Sequence, residues 1–348
     1  MKKRKKICFA GDLSTSFIMR DYEVLERYFD VRATQPPKLS KKDGASKYLA
    51  LIVSAVRYAA DLAKNVNRSD LTFSWFAGWH SAFTVFFSKL FGKRSIVIAG
   101  GYDCAAVDEI GYGAFLRRNF LWEGLPAAYV FKNVDKILIV DPSLKDDIIR
   151  NVGINGEKIE CVPTGYDSNY WEPGEKGDVV LTVGTVSEAV VKRKGFETFV
   201  RAAHHLPDVK FVLVGKQVDD SIDRLRSQAP PNLEFTGFVD DQELLKLYQR
   251  ARVYCQLSRY EGLPNALCEA MLCECAPVGT RYCGIPNAIG ETGIYVPYGD
   301  VKATAEAIKR ALDGSLGKKA RKRISAMFPM ERREKRLIES IELLSEKI

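Results

Sequence analysis

The chain has 348 residues, of which 46% are hydrophobic and 28% are charged, and these proportions exclude a disordered or collagen-like protein. At ~150 residues per domain, the length predicts two domains. The net charge of +8 is concentrated at the two ends, which argues against a nucleic-acid-binding face and favours either solubilising termini or contact with an anionic membrane surface.

The basic segments are residues 1–6, with five basic and no acidic side chains, and residues 315–348, with ten basic and five acidic side chains. The apolar residues 7–10 run at once into Gly11 and Asp12, so we expect no signal peptide. The longest uncharged run, residues 71–88, predicts a strand followed by a helix and not a transmembrane span. We therefore expect a cytoplasmic protein, either free or peripheral at the inner face of the cell membrane.

In the first half of the chain, short β-branched runs alternate with amphipathic stretches, a pattern typical of βαβ units with a parallel sheet. The predicted strands are residues 6–10, 71–76, 95–99, 136–140 and 160–163. The predicted helices are residues 47–66, 81–91 and 144–151, the last of which follows the helix-start sequence Asp141-Pro142-Ser143.

Residues 168–178 break the periodicity and are the predicted interdomain linker. The strands predicted after it are residues 179–183, 209–214, 233–236, 253–257 and 276–279. Helices are predicted near residues 200, 225, 245 and 268 and over residues 301–312 and 331–347. The predicted domains are residues 1–170 and 171–327, followed by a helical segment, residues 328–348. The predicted fold class is α/β, with two Rossmann-like domains facing each other across a ligand cleft at the carboxyl ends of their strands.

Residues 258–271 contain two glutamates, Glu261 and Glu269, on either side of a Gly-Leu-Pro-Asn turn that opens a helix. The first N–H groups of a helix have no intrahelical acceptor and can hold a phosphate. Glu261 follows a predicted strand and is expected to point into the cleft, whereas Glu269 lies one turn inside the helix. The alternative is that Glu269 only balances the helix dipole and that Glu261 is a solvated loop charge.

This segment resembles the glutamate-pair motif of retaining GT-B glycosyltransferases of glycosyltransferase family 4. The resemblance covers nearly the whole chain and is densest from residue 180 to residue 300. The other motifs that carry it are residues 140–143, 162–167, 183–185, 194–195, 214–216, 236–239, 283–286 and 296–300. The resemblance implies a GT-B fold, in which the first domain binds the acceptor, the second binds the nucleotide sugar, and the last helix returns to the first domain.

The resemblance also implies transfer of a sugar from a nucleoside diphosphate sugar, UDP- or GDP-linked, to a glycan or lipid-linked acceptor. The anomeric configuration would be retained, and neither a metal nor another cofactor would be needed. Carried over by position, Glu261 would contact sugar hydroxyls, Glu269 the ribose, and Lys194 the diphosphate on which negative charge develops. The remaining implied donor-side residues are Gly184, Thr185 and Lys192 at the phosphate loop, Phe238 and Val239 at the base, and Gly262, Leu263, Asn265 and Ala266 at the helix start.

The chain departs from the family pattern at two positions that bear on catalysis. Thr185 stands where the family has an arginine, whose place Lys192 or Arg193 would take. Gly100 stands where the family often has a histidine near the sugar. Asp103 is the next polar side chain in that loop, and we expect it either to be a catalytic carboxylate beside the anomeric carbon or to cap the following turn.

The predicted acceptor-side residues are Gly11, Asp12, His80 and Gly100, each in a loop or at a helix start that follows a strand. For His80 the alternative is a core or helix-start role. The aromatic residues at positions 75, 76, 79, 83, 86, 87 and 91 are predicted to lie in the core, with a groove for a lipid tail as the alternative. The eight cysteines show no Cys-x-x-Cys spacing and predict buried free thiols in place of a disulfide scaffold or a zinc site.

Two other functions are compatible with these sequence features. A nucleotide-sugar-binding protein of weak or no activity is favoured by the missing arginine and histidine. A nucleotide-sugar epimerase on the same fold is the other alternative. Incubation with a donor and an acceptor distinguishes the first of these from an enzyme, because a binding protein shows affinity without product.

Overall fold

The computed structural model describes residues 4–37 and 45–346, which form two compact units. Unit 1 comprises the described residues of the ranges 1–107, 113–162 and 333–348. Unit 2 comprises residues 108–112 and 163–332. Of the basic end residues, Lys2, Lys3 and Lys347 lie outside the described residues.

Unit 1 is built on a parallel sheet. Its strands are β1 (Lys6–Ala10), β2 (Asp30–Thr34), β3 (Leu71–Trp75), β4 (Arg94–Ala99), β5 (Lys136–Ile139) and β6 (Ile159–Cys161). They are ordered β2-β1-β3-β4-β5-β6. The central strands are almost wholly buried, as parallel strands covered on both faces should be, while the edge strand β2 exposes alternate residues.

The helices of unit 1 are α1 (Ser16–Tyr28), α2 (Ala45–Asn67), α3 (Trp79–Leu90), α4 (Leu125–Asn133) and α5 (Ser143–Val152). A π-helical turn, Phe120–Gly124, leads directly into α4, and a 3₁₀ turn, Asp108–Ile110, belongs to unit 2. Every strand and helix predicted in this half is confirmed to within two residues, whereas α1, α4 and β2 are not among the predictions.

Unit 2 is built on a second parallel sheet. Its strands are β7 (Gly177–Val183), β8 (Lys210–Val214), β9 (Leu233–Gly237), β10 (Ala251–Gln256), β11 (Ala276–Gly279) and β12 (Ile294–Tyr295). They are ordered β12-β11-β10-β7-β8-β9. The five strands predicted here are confirmed to within two residues, and the predicted class, α/β with two Rossmann-like domains, is confirmed with them.

The helices of unit 2 are α6 (Glu188–Lys194), α7 (Phe196–Ala203), α8 (Ser221–Ser227), α9 (Asp241–Arg250), α10 (Asn265–Leu272), α11 (Gly284–Ile289), α12 (Val301–Leu312) and α13 (Leu316–Met327). The last helix, α14 (Met330–Ser345), belongs to unit 1 from Arg333 onward. Within the segment predicted as a linker, Trp171 is buried against Tyr248, and Arg321 donates to the carbonyl oxygens of Ser168 and Trp171 at 2.9 and 2.7 Å.

The aromatic residues of positions 75–91 are only partly core residues. Trp75 is buried as predicted, but the prediction is wrong for Trp79, Phe83 and Phe86, whose side chains are exposed because α3 turns its other face towards the sheet. The eight cysteines are free, and six of them are buried. None of the helices in residues 4–37 and 45–346 combines the length and the apolar character needed to cross a bilayer.

Candidate functional site

In unit 2, predicted donor-side residues follow the carboxyl ends of three of the four adjacent strands β10, β7, β8 and β9. Gly184 and Thr185 follow β7, Phe238 and Val239 follow β9, and Glu261 lies beyond the end of β10. In a parallel sheet, the carboxyl ends of neighbouring strands meet at one edge. The order β10-β7-β8-β9 therefore brings these loops to the same edge of the sheet.

Glu261 lies at the centre of a half-buried ionic cluster. Its Oε1 is 2.8 Å from a guanidinium nitrogen of Arg193 and 3.1 Å from Nζ of Lys194. The same oxygen accepts hydrogen bonds from Oγ of Ser258 at 3.0 Å and from Nε2 of Gln256 at 3.2 Å. Two cations and two neutral donors thus converge on one carboxylate, and the cluster carries one positive charge in excess.

The charges of the cluster stabilise one another. Burial by itself raises the pKa of Glu261, but the positive charges of Arg193 and Lys194 outweigh this effect and lower the pKa from 4.5 to about 2. Burial lowers the pKa of Lys194, against the opposing effect of Glu261. Burial also opposes the charge of Arg193, yet Glu261 and Tyr112 raise its pKa above the usual value. An anion that approaches the two cations therefore meets a site already charged to receive it.

Glycines allow Lys194 to reach the cluster. A Cβ at Gly184 would lie 2.6 and 2.7 Å from Cδ and Cε of Lys194, so the lysine side chain passes directly over this glycine and would have to shift for a larger residue. Gly195, with a φ of +67°, ends α6, and a Cβ there would lie 2.5 Å from the carbonyl oxygen of Leu257. The motif glycines thus have a steric reason to be present.

A short segment of the chain covers Arg193. Residues 108–112 belong to unit 2, where the Tyr112 ring lies 5.0 Å from the Arg193 guanidinium and 5.4 Å from the Tyr260 ring. Glu109 pairs with Arg259 at 2.7 Å. Neither Tyr112 nor Glu109 was singled out from the sequence, because a contact between residues ~150 positions apart leaves no local pattern.

The start of α10 has the geometry expected of an anion-binding helix end. Pro264 precedes the helix, whose first N–H groups, those of Asn265 and Ala266, lack intrahelical acceptors. Oδ1 of Asn265 accepts hydrogen bonds from Tyr166 at 2.7 Å and from Thr164 at 3.2 Å, which holds the turn in place. The Asn265 side chain is thus engaged by Tyr166 and Thr164, which leaves its backbone N–H as the group that could face an anion.

The other donor-side residues differ in accessibility. Gly262, Leu263 and Glu269 are buried, Ala266 and Val239 are half-buried, and Thr185, Lys192 and Phe238 are exposed. Phe238 leaves 77% of its surface open, so its ring is available for stacking. Of the two cations considered for the missing arginine, the structure places Arg193 on Glu261, while the Lys192 side chain is exposed.

In unit 1, Asp103 acts as a cap in the loop that follows β4. Its Oδ2 accepts the N–H of Ala77 at 2.8 Å, and its Oδ1 accepts those of Gly100 and Gly101 at 3.1 and 3.0 Å. Only 3% of its surface is exposed, and burial raises its pKa against the effect of these hydrogen bonds. These hydrogen bonds favour a structural role for Asp103 over the catalytic one, although the N–H groups belong to residues that precede it and not to the following turn that the capping alternative named.

The position that lacks the family's histidine is closed by an aromatic ring. A Cβ at Gly100 would lie 2.2 Å from Cε1 of Phe76, whose own φ of +62° is unusual for a residue with a side chain. A larger residue at position 100 would have to displace this ring. The packing of the Phe76 ring therefore accounts for glycine, in place of the family's histidine, at position 100.

The remaining acceptor-side residues are held by local contacts. Nε2 of His80 donates to the carbonyl oxygen of Trp75 at 2.6 Å, and burial lowers the pKa of this imidazole, which keeps it neutral. Oδ1 of Asp12 accepts from the N–H and the hydroxyl of Ser14 at 3.0 and 2.7 Å. Gly11 is buried against Phe9 and Ile18. Gly11, His80 and Gly100 follow β1, β3 and β4, which are neighbours in the sheet.

Comparisons with known proteins agree with this geometry. Residues 177–314 match the family model described as Glycosyl transferases group 1. The chain is 27% identical over 237 residues to alpha-galactosylglucosyldiacylglycerol synthase of Streptococcus pneumoniae, with 59% of this chain and 60% of the relative covered. It is 24% identical over 188 residues to alpha-maltose-1-phosphate synthase of Mycolicibacterium smegmatis, with 47% and 49% covered. The matches thus span about half to three-fifths of these relatives.

Solved structures resemble nearly the whole chain. Sucrose-phosphate synthase from Thermosynechococcus elongatus superposes with a TM-score of 0.77 at 17% identity, and 99% of this chain and 100% of the other are covered. HepE of Anabaena, in complex with UDP and glucose, superposes with a TM-score of 0.74 at 16% identity, with 97% and 99% covered. At such identities the likeness shows the fold, which is the GT-B fold of glycosyltransferases with two Rossmann-like domains.

Proposed function

We propose that this chain, whose residues 177–314 match the Glycosyl transferases group 1 family model, transfers a sugar from a nucleoside diphosphate sugar to an acceptor. The donor would be UDP- or GDP-linked, the acceptor a glycan or a lipid-linked molecule, and the anomeric configuration would be retained. In this proposal residues 171–327 bind the donor and residues 1–170 bind the acceptor. The observation that carries the proposal is the cluster of Arg193, Lys194 and Glu261.

The reaction explains why two cations and a carboxylate should share this place. Breaking the bond between the sugar and the diphosphate leaves negative charge on the phosphate oxygens and positive character on the anomeric carbon. Arg193 and Lys194 would stabilise the first, together with the N–H groups at the start of α10. Glu261 would bind a sugar hydroxyl and stabilise the second. Arg193 thereby supplies the guanidinium that the family carries at the position of Thr185.

The nucleoside would be held by the remaining donor-side residues. The exposed Phe238 ring offers a stacking surface for the base, with Val239 beside it. Glu269, one helical turn beyond the first N–H groups of α10, would accept hydrogen bonds from the ribose hydroxyls. The chain's similarity in fold to HepE, which was solved with UDP and glucose, supports this class of ligand.

The role of Lys194 tests the proposal directly. Lys194→Ala removes one charge-assisted hydrogen bond, worth ~1.5–3 kcal/mol, and we expect affinity for UDP or GDP to fall by roughly 10- to 100-fold. Isothermal titration calorimetry measures this change, and Lys246→Ala, on the exposed face of α9, is the matched control. Unchanged nucleotide affinity in Lys194→Ala would refute the role. Affinity without product, across a panel of acceptors, would favour the nucleotide-sugar-binding alternative.

Asp103 gives a second test, because a cap and a catalytic group respond differently to the same change. In Asp103→Asn, an amide NH₂ replaces one of the oxygens that face three backbone N–H groups. We expect a loss of about 1–3 kcal/mol of stability, with turnover of the folded enzyme nearly unchanged. Thermal unfolding and turnover are compared with those of Asp30→Asn on the exposed edge of β2. A fall in turnover of about 100-fold at an unchanged melting temperature would instead assign Asp103 to the chemistry.

Location at a membrane through the basic ends remains a prediction. Several arginines of residues 315–348 use their guanidinium groups inside the protein. Arg321 and Arg323 donate to backbone carbonyl oxygens, and Arg333 pairs with the buried Asp21. The exposed basic side chains of α13, Lys335 of α14 and the basic residues of the segment 1–6 are left as candidates for such a contact.

A further inference from the structure

Helix α3 has one face of large apolar side chains, and this face is exposed instead of buried. Trp79, Phe83, Phe86 and Leu90 are spaced at four, three and four residues and form one exposed stripe. The buried face carries smaller residues, which are Ser81, Ala82, Thr84, Val85 and Ser88. The helix therefore presents to its surroundings the face that would ordinarily be packed inside.

Hydrogen bonds fix this orientation. The Ser81 hydroxyl donates to the carbonyl oxygen of Phe76 at 2.6 Å, and the Thr84 hydroxyl donates to that of His80 at 2.8 Å. Oγ of Ser88 lies 2.8 Å from Oγ1 of Thr72 on β3. Turning the helix to bury its aromatic stripe would remove the Ser81 and Ser88 hydroxyls from Phe76 and Thr72, whereas the Thr84 bond lies within the helix and would turn with it. The exposure of the stripe is thus built into the packing of α3 on the sheet.

A second group of exposed apolar side chains lies on the elements around the start of α4. The π-helical turn and the start of α4, which packs against α3, expose Phe120, Leu121, Trp122 and Leu125. Trp122 leaves 74% of its surface open, and Trp79 leaves 53%. We call these eight residues together the aromatic face. Eight exposed apolar side chains on helices that pack against each other, and on the turn that leads into one of them, are typical of an interaction surface.

The elements that carry the aromatic face, and the residues that flank them, are rich in basic side chains. Lys89, Lys93, Arg117, Arg118 and Lys132 belong to the same elements or to the residues that flank them. Within residues 79–93 and 113–133 the one acidic residue is Glu123, whose carboxylate accepts a hydrogen bond from the Tyr102 hydroxyl. These segments therefore carry five basic side chains and one acidic side chain.

We propose that the aromatic face docks unit 1 onto the surface of a lipid bilayer that contains anionic lipids. Tryptophan and phenylalanine rings insert at the level of the headgroups, and lysine and arginine are attracted by the negative surface. A second copy of this chain is the other occupant to consider. In a two-fold symmetric dimer formed through this face, however, the basic side chains of the two copies would be brought together, which disfavours that pairing.

The tryptophans provide a direct readout of this docking. The chain has four of them, and Trp79 and Trp122 are exposed on the aromatic face while Trp75 and Trp171 are buried. With the full chain, we expect the fluorescence emission to shift to the blue when vesicles of phosphatidylcholine with one-third phosphatidylglycerol are added. Trp79→Phe/Trp122→Phe should remove the shift and retain binding measured by vesicle sedimentation, because phenylalanine keeps the apolar surface.

Three variants separate the contributions. Phe86→Ser/Trp122→Ser should lower the vesicle partition coefficient ~10-fold or more, and Lys89→Glu/Lys93→Glu should do the same on anionic vesicles. Leu343→Ser removes an exposed leucine of α14 in the same unit and should leave binding unchanged. Melting temperatures show whether each variant is folded. If Phe86→Ser/Trp122→Ser does not fold, Lys89→Glu/Lys93→Glu still tests the proposal.

Three results would overturn the proposal. The first is that the wild-type chain does not bind anionic vesicles. The second is that the Phe86→Ser/Trp122→Ser and Lys89→Glu/Lys93→Glu variants, when folded, bind vesicles as well as the wild type. The third is self-association in sedimentation velocity that the serine variant abolishes while vesicle binding persists, which would assign the face to a second copy of the chain.

Discussion

Replacing Glu261 with glutamine is expected to lower turnover by roughly 10²- to 10³-fold while leaving the affinity for a nucleoside diphosphate unchanged or higher. The two effects separate because the carboxylate and the cations serve different parts of the donor. Without the Glu261 charge, Arg193 and Lys194 are no longer neutralised in part, and their attraction for a diphosphate increases. The sugar, in contrast, loses the charged acceptor that stabilises positive character at its anomeric carbon.

Steady-state kinetics with the donor sugar and calorimetry with the free diphosphate measure the two quantities independently. Glu306→Gln, which alters an exposed glutamate of α12, is the matched control and should change neither. A variant that retains wild-type turnover would remove Glu261 from the mechanism. Equal losses in turnover and diphosphate affinity would instead make Glu261 a residue that only positions Arg193 and Lys194.

The same variant has a signature in stability. The pKa of Glu261 falls from 4.5 to about 2 on folding, so its ionised form contributes stability that is present above about pH 4.5. This contribution is lost as the pH falls towards 2. The melting temperature of Glu261→Gln should therefore depend less on pH in that window than that of the wild type. Identical pH profiles would contradict the ionic cluster even if turnover fell.

Much of the fold could be predicted from the sequence, because buried parallel strands form short continuous apolar runs with helices between them. Three of the elements that escaped prediction, β2, β12 and α6, lack that signal. The edge strand β2, Asp-Val-Arg-Ala-Thr, is polar at alternate positions, and β12 has two residues. Helix α6 is a single short stretch rich in lysine and arginine, with one buried residue.

The sequence identifies those candidate site residues that belong to a motif. It does not identify those whose position depends on which face a helix turns towards the site. Glu261 and Lys194 were singled out by their motifs, and the structure brings them together. Lys192 and Arg193 differ by one position on α6, or ~100° around the helix, and only packing determines that Arg193 faces Glu261. The aromatic face escaped for the same reason, since both sides of α3 repeat with helical spacing and the sequence alone does not say which is buried.

The second large effect concerns the buried ion pair that joins α14 to the rest of unit 1. Two nitrogens of Arg333 donate to the two carboxylate oxygens of Asp21 at 2.6 and 2.5 Å, and a third donates to the carbonyl oxygen of Val162 at 2.8 Å. Nε1 of Trp75 donates to Asp21 at 2.9 Å, and the Arg333 guanidinium lies 5.6 Å from the Trp75 ring. Both charged side chains are almost completely buried.

Arg333→Met would leave the Asp21 carboxylate buried without its cation, and breaking a buried pair in this way costs about 3–5 kcal/mol. For a unit of this size we expect the melting temperature to fall by roughly 6–20 °C. Arg27→Met is the matched control, because Arg27 pairs with Glu334 at 3.1 Å on the same helix but is exposed, and such pairs contribute about 0–1 kcal/mol. Asp21→Leu/Arg333→Met should recover part of the loss, since it removes both charges together. Thermal unfolding of the full chain measures these melting temperatures. If Arg333→Met melts no earlier than Arg27→Met, the buried pair does not hold α14 in unit 1.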